Sequence, residues 1–318
     1  MFGTNPFFRI FQTRIFGKFI TIFCYHDVTN QPSNFSIENN LHVSNNVFEY
    51  QVEFIKKNFS VIEPKQLSNN NLPINPALVT FDDGFKSFFT NALPILEKHK
   101  IPVIIFLNMG PILGEMFWPG LVIFLSKKRA DFKTFLKNKI QPAEVKEPIF
   151  LSCTRSTVEE YLENNNDNLR ENVLDYVGLF ANKNDLEKYC FRDNIYYANH
   201  SYMHLVSSLM NEDELIEDFE KNEKILKKYP NYLNFFAFPF GQPETTFTEN
   251  QVKLLTNNGV KKIFFSAASS LNEFRDQSLL DRITLLSDDN SYSKIRFKIC
   301  RPWFIDKKRT FFSYFYNH

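Results

Sequence analysis

Thr80-Phe81-Asp82-Asp83-Gly84 is the stretch on which this sequence turns. An apolar run, Ala77-Leu78-Val79, leads into it, and two adjacent carboxylates and a glycine close it. Side chains alternate along a strand, so neighbouring aspartates diverge while the ladder holds. Where the strand stops, Gly84 allows a sharp turn, and both carboxylates can face one cleft. One is then free to bind a metal ion while the other takes a proton from water. The plainer reading is a strand-end Asx turn with solvated aspartates, and the pentapeptide alone does not choose between them.

A second stretch, His200-Ser201-Tyr202-Met203-His204, weighs on that choice. Histidines four apart lie on one face of a helical turn, close enough for a single ion. The chain has only six histidines, so the pairing stands out from composition. Two imidazoles and a carboxylate leave open positions for water and substrate, as a hydrolytic metal centre requires. The alternative is a chance pair on a helix surface.

Both stretches match motifs of a known family. The sequence resembles the polysaccharide deacetylases of the NodB-homology group (carbohydrate esterase family four), whose motifs are Thr-Phe-Asp-Asp-Gly and His-Ser/Thr-x-x-His. Tyr25-His26-Asp27-Val28 and Phe236-Ala237-Phe238-Pro239-Phe240-Gly241 are softer matches, and the likeness covers residues 20–110 and 190–290. It implies an α/β fold, a distorted (β/α) barrel. It also implies that Asp83, His200 and His204 ligate a divalent metal and that Asp82 is the catalytic base. Zinc is the default metal for nitrogen and oxygen ligands, and cobalt, nickel, iron or manganese fit the same set. A second oxyanion donor is expected from the backbone N–H at Phe240, where the family usually has tyrosine; Pro239 helps aim that amide. Ser201 is expected to orient the histidine turn, or simply to cap it.

Two departures from the family pattern matter. Ala237 stands where many members carry an arginine that orients the catalytic aspartate, and Arg282, near the end of the last strand, is the best substitute. The late leucine–histidine motif that supplies the general acid is not visible; after His204 the only histidine is His318. His26, at the end of the first strand, or Asp82 reusing its proton, is left to protonate the departing amine; His26 reads equally as a structural histidine. His42 and His99 read as surface residues.

In chain order, strands are expected at Ile20–Tyr25, Phe59–Ile62, Ala77–Phe81, Pro102–Leu107, Asn194–Ala198, Leu233–Phe238, Lys261–Ser266 and Leu279–Leu285, the last carrying Arg282 outward. Helices are expected at Val47–Asn58, with Val47, Tyr50, Phe54 and Ile55 inward, and at Ser87–His99 and Glu249–Asn257. Another should open at an Asn211/Glu214 capping box and run to Lys228 over a stripe of Leu215, Phe219 and Leu226. This alternation points to a parallel architecture with its chemistry at the carboxyl ends of the strands. Residues 111–190 break the rhythm: Leu121–Leu136 and Thr157–Phe180 read as a helical insertion between barrel halves 19–110 and 191–290. Asn69-Asn70-Asn71 is a loop, and Glu163–Asp167 a solvated acidic run.

Composition bounds the rest. A hydrophobic content of 43% over 318 residues is that of a globular chain, and a net charge of +1 gives no sign of a strongly charged partner. With 37 phenylalanines, a lone aromatic carries little weight. Cys24, Cys153, Cys190 and Cys300 are scattered and read as reduced thiols. Arg9, Arg14 and Lys18 interrupt any secretory h-region, so a cytoplasmic protein is expected. Residues 102–126 carry one charge, but Gly110, Pro111, Gly114, Pro119 and Gly120 argue against a membrane span. The tail 291–318 is basic and aromatic; it lacks a nucleic-acid motif, and both termini invite a peripheral membrane hypothesis. Two functions follow: a metal-dependent hydrolase removing an N-acetyl or related acyl group from an amino sugar of a glycan or glycan precursor, or a barrel that binds glycan without turnover.

Overall fold

A computed structural model describes residues 19–68, 72–140, 148–163, 169–273 and 277–316, with side chains through 305 in the last helix. The basic start 1–18, the Asn69–Asn71 loop, Gln141–Glu147, most of the acidic run after Glu163 and the aromatic side chains beyond 305 lie outside the described residues.

Among the described residues eight parallel segments close the ring: β1 (Phe19–Tyr25), β2 (Pro76–Phe81), β3 (Val103–Leu107), β4 (Ile195–Asn199), β5 (Tyr232–Ala237), β6 (Lys262–Phe265), β7 (Leu279–Asp281) and β8 (Ile283–Thr284), and the short segment Ser60–Val61 pairs parallel with the start of β2. They neighbour one another in chain order from β1 to β7, and β8 pairs back onto β1, which closes the ring. A single stretch therefore makes the closure: Leu279–Asp281 pairs with β6, Ile283–Thr284 pairs with β1, and Arg282 sits at the break. The one strand expected at Leu279–Leu285 is thus two short ones. A segment shared between two neighbours cannot keep one ladder while the ring curves shut.

Period-two alternation sorts the residues into two layers. Ile20, Ile22, Leu78, Ile104, Phe106, Ala198, Phe264 and Leu280 fill the barrel interior. Phe23, Tyr25, Val79, Phe81, Val103, Ile105, Ile195 and Tyr197 face the surrounding helices. Strands buried on both faces account for the unbroken apolar runs.

Helices α1 (Asn45–Asn58), α2 (Leu93–His99), α8 (Glu212–Leu226) and α9 (Glu249–Asn257) take the outer positions. In α1 Phe54 and Ile55 are buried as expected and Val47 packs half-buried on the core, but Phe48, Gln51 and Val52 are buried as well and Tyr50 is exposed. Ser87–His99 is not one α-helix: Phe88–Ala92 forms a π turn before α2. Pro94 explains it, since proline donates no N–H and crowds the preceding turn. Both partners of the Asn211/Glu214 capping box are present, and Leu215, Phe219 and Leu226 are buried.

The insertion contains α3 (Trp118–Lys128), α4 (Ala130–Lys139), α5 (Arg155–Glu163), α6 (Leu169–Val177) and α7 (Lys183–Tyr189), so Leu121–Leu136 is two helices broken at Arg129. It has an apolar core of its own, in which Leu121, Leu125, Phe132, Tyr161 and Val173 are buried. Its far end returns to the Asp-Asp-Gly turn, where the Ala181 N–H donates to the Gly84 carbonyl at 2.9 Å. Helix α10 (Tyr292–Tyr316) closes the chain. Among the described residues no helix is long and apolar enough to cross a membrane.

Candidate active site

The site is the top layer of the barrel interior. Thr80 points inward, so Asp82, two residues on, does too, and its N–H extends the ladder to the Tyr25 carbonyl at 3.0 Å. Asp83 then takes a left-handed φ of 71° and Gly84 one of 90°, which folds the second carboxylate back toward the same cleft. The aspartates are 3% and 2% exposed, which removes the solvated-turn reading.

The histidines come from the end of β4. His200–His204 is a loop rather than a helical turn, with Ser201 at φ 65° and His204 at 58°. Left-handed backbone, not helical spacing, swings the two rings onto one point. Their Nε2 atoms lie 3.5 and 3.2 Å from Asp83 Oδ1. His200 Nδ1 is 2.8 Å from the Ala237 carbonyl; with the proton there, its Nε2 lone pair is left for a ligand. Among the described residues Asp83 Oδ1 is buried with no hydrogen-bond partner. An unsatisfied carboxylate oxygen facing two imidazole nitrogens, all three donors within 4.8 Å of one another, fits a divalent cation. Burial pushes the Asp83 carboxyl up, but the two imidazoles outweigh it and hold it far below the ordinary carboxylate range.

Asp82 meets a different set of partners. Arg282 Nη1 and Nη2 donate to its two oxygens at 2.6 and 2.7 Å, a bidentate pair. The guanidinium is fixed in turn by its Nε on Ser266 Oγ at 3.0 Å. Arg282 is 1% exposed, so the outward placement is corrected: Leu280 faces the barrel interior, and period two turns Arg282 the same way. Burial raises the Asp82 carboxyl, while Arg282, His200 and His26 lower it more, and the net is an acid below its usual range. Cys24 and His26 also approach Asp82, with Sγ at 3.6 Å and Nε2 at 3.9 Å from Oδ2. Cys24, His26 and Asp82 have the spacing of a second ion site. Arg282 already neutralises that carboxylate, however, and burial pushes the Cys24 thiol up to about 12, so ionised donors are lacking.

Phe240 stands at the rim with φ 61°, its ring 4.8 Å from that of His204. Gly241 follows at φ 59°, where a Cβ would come within 2.6 Å of the Ser266 nitrogen. The Pro239-Phe240-Gly241 turn therefore has no room for a side chain at 241. The cleft over these groups measures about 480 Å³. Phe117 and Ile123 from the insertion, with Phe35, Leu41 and Leu286, form its apolar walls.

A family model described as polysaccharide deacetylase matches residues 69–263, more than half of the chain. The chain belongs to the polysaccharide deacetylase family. Solved structures share its fold. The Streptococcus pyogenes deacetylase PplD, in complex with acetate, is 16% identical with a TM-score of 0.54, over 88% of this chain and 98% of that one. IcaB from Ammonifex degensii is 18% identical with a TM-score of 0.58, over 88% and 97%. A de-N-acetylase from Aggregatibacter actinomycetemcomitans is 14% identical with a TM-score of 0.56, over 88% and 99%. No curated protein matches the sequence.

Within this family member, the groups that hold the histidine loop escaped sequence reading. Asp218 on α8 accepts the Tyr202 and Met203 N–H groups at 2.6 and 3.1 Å. Asn199 accepts the Ser201 N–H at 2.9 Å, and Asn222 donates to Asn199 at 2.7 Å. Asn108, just past β3, donates to the His200 and Ser201 carbonyls. Ser201 Oγ accepts the His204 N–H at 3.0 Å. The one usable signal for Asn108 and Asn199 was their position at strand carboxyl ends. Neither leftover histidine is a fully exposed surface residue: His99 faces Glu49 at 3.2 Å, and His42 is half-buried in a short strand beside Asp27–Val28.

Proposed function

We propose that this chain is a metal-dependent hydrolase that removes an N-acetyl or related N-acyl group from an amino sugar in a glycan or glycan precursor. One observation carries the reading. Asp83 faces two imidazole nitrogens within 3.5 Å, while its neighbour Asp82 is gripped by Arg282 at 2.6 and 2.7 Å. Asp83, His200 and His204 would hold the ion, and their donor set suits zinc as well as cobalt, nickel, iron or manganese. When bound, such an ion supplies a Lewis acid that acidifies water toward a pKa of ~7 and shares negative charge on an amide oxygen.

The chain's own groups do the rest. Arg282 keeps Asp82 ionised and in one orientation, so it takes the proton from the attacking water. The Phe240 N–H is the second donor to the carbonyl oxygen; a backbone donor does not require the family's tyrosine hydroxyl. The departing amine must leave protonated, because an amide anion is a very poor leaving group. His26 is the proposed acid, since it lines the cleft with Nε2 3.9 Å from Asp82 Oδ2.

The rival, a glycan-binding barrel without turnover, drew its force from Ala237 and from the missing late histidine motif. Arg282 reaches the same aspartate from another strand, which favours turnover. Acetate and formate release from a panel of N-acylated amino sugars, with and without chelator, tests the proposal. Release abolished both by chelation and by Asp82→Asn in a folded variant is expected. Chelator-insensitive release, or none from any substrate with metal stoichiometrically bound, would overturn it.

A further inference from the structure

We propose that the outer face of helix α10 docks on an anionic membrane surface. The helix has two unlike sides. Ile295, Ile299 and Pro302 are buried, the last two against the first residues of β1. On the opposite side Lys294, Phe297, Arg301 and Phe304 are exposed. Their spacing of three, four and three places them in one stripe. Phe297 is 71% and Phe304 54% exposed, the latter edge-on against Trp303, and each follows a basic residue by three positions.

No acidic residue occurs between Asn290 and Ile305. From Ser291 onward the sequence has seven lysines or arginines against one acid, Asp306, and repeats the spacing with Lys308, Phe311 and Phe315. Alternating cations and bulky aromatics along one helix face suit the headgroup region of a bilayer. Rings enter the acyl boundary there while ammonium and guanidinium groups meet lipid phosphates.

The placement of the helix agrees. Lys298 reaches the Thr284 carbonyl near the active-site end of the barrel, whereas Pro302 lies beside Phe19, at the amino end of β1. The helix therefore runs away from the metal ligands. It passes the point where residues 1–18 join the barrel, a stretch with Arg9, Arg14, Lys18 and five phenylalanines but no acid. The exposed stripe of α10 thus extends toward the end opposite the catalytic cleft, which would leave the cleft open when the protein is docked.

Flotation of the full chain with vesicles tests this. The protein should rise with phosphatidylglycerol–phosphatidylethanolamine vesicles, stay behind with phosphatidylcholine alone, and be released by high salt. Phe297→Ser with Phe304→Ser, and separately Lys294→Glu with Arg301→Glu, should each lower binding by about tenfold or more. These side chains are exposed, so melting temperature and acyl release from a soluble substrate should not change. Equal flotation of wild type and variants, equal binding to neutral vesicles, or tighter binding to a DNA or RNA oligonucleotide than to vesicles would overturn the proposal. Because the hydrolase assay uses soluble substrate, failure here and failure of the catalytic reading are distinguishable.

Discussion

Asp82 and Asp83 are the same residue type, adjacent in the chain and buried to nearly the same degree, yet they differ in almost everything around them. Asp82 is neutralised by one guanidinium through two short hydrogen bonds. Among the described residues Asp83 faces two imidazole nitrogens and keeps a buried oxygen without a donor. The first environment stabilises an ionised carboxylate held in one orientation; the second leaves a carboxylate oxygen facing two imidazole nitrogens, with the spacing of a cation site. Division of labour between identical neighbours comes from what the barrel brings to each.

The largest expected effects break that division directly. On the proposed assignment, Asp82→Asn should lower kcat by about 10³-fold while leaving ion affinity intact, because it would remove the base and keep the ligands. Asp83→Asn should instead lose the ion. Metal content measured after gel filtration, beside acyl-release kinetics, separates the two; identical behaviour would show that the residues share one role.

Next in size is Arg282→Met, which leaves a buried carboxylate unpaired. A loss of about 3–5 kcal/mol is expected at neutral pH. The sign with pH follows from the lowered acidity of Asp82. A depressed folded-state pKa stabilises above the ordinary aspartate value of ~3.9 and is lost as pH falls through the folded value. The gap between wild type and variant should therefore be widest near neutrality and narrow in acid, as read from denaturant midpoints.

Ser201→Ala probes the other side. Removing the hydroxyl that accepts the His204 N–H should cost about 1 kcal/mol and weaken ion binding, with the catalytic pH profile unchanged. The smallest effect belongs to Phe240→Tyr, which restores the family's usual residue. If the backbone N–H is the donor, kcat should change by less than about twofold. A large gain in rate would show that the hydroxyl matters.

Much of the barrel was legible because its signals are local. Apolar runs such as Val103–Leu107 and Ala77–Phe81 announce strands buried on two faces, and the Asn211/Glu214 box announces the start of α8. The same locality explains the misses. Histidines four apart look like one helical face, because spacing cannot report that Ser201 and His204 are left-handed. Arg282 looked like an outward residue of a single strand, because nothing near it in sequence says that the ring closes there.

Residue chemistry and spacing were enough to name Asp82, Asp83, His200 and His204 as candidates and to indicate a parallel α/β architecture, while the family resemblance implied the barrel. What spacing alone left undecided was how each aspartate meets its partners. His200 and Arg282 lie more than a hundred positions away, and only closure of the barrel brings an imidazole pair to one carboxylate and a guanidinium to the other. In that buried layer, where water cannot screen them, those contacts set the charge and the orientation of each group.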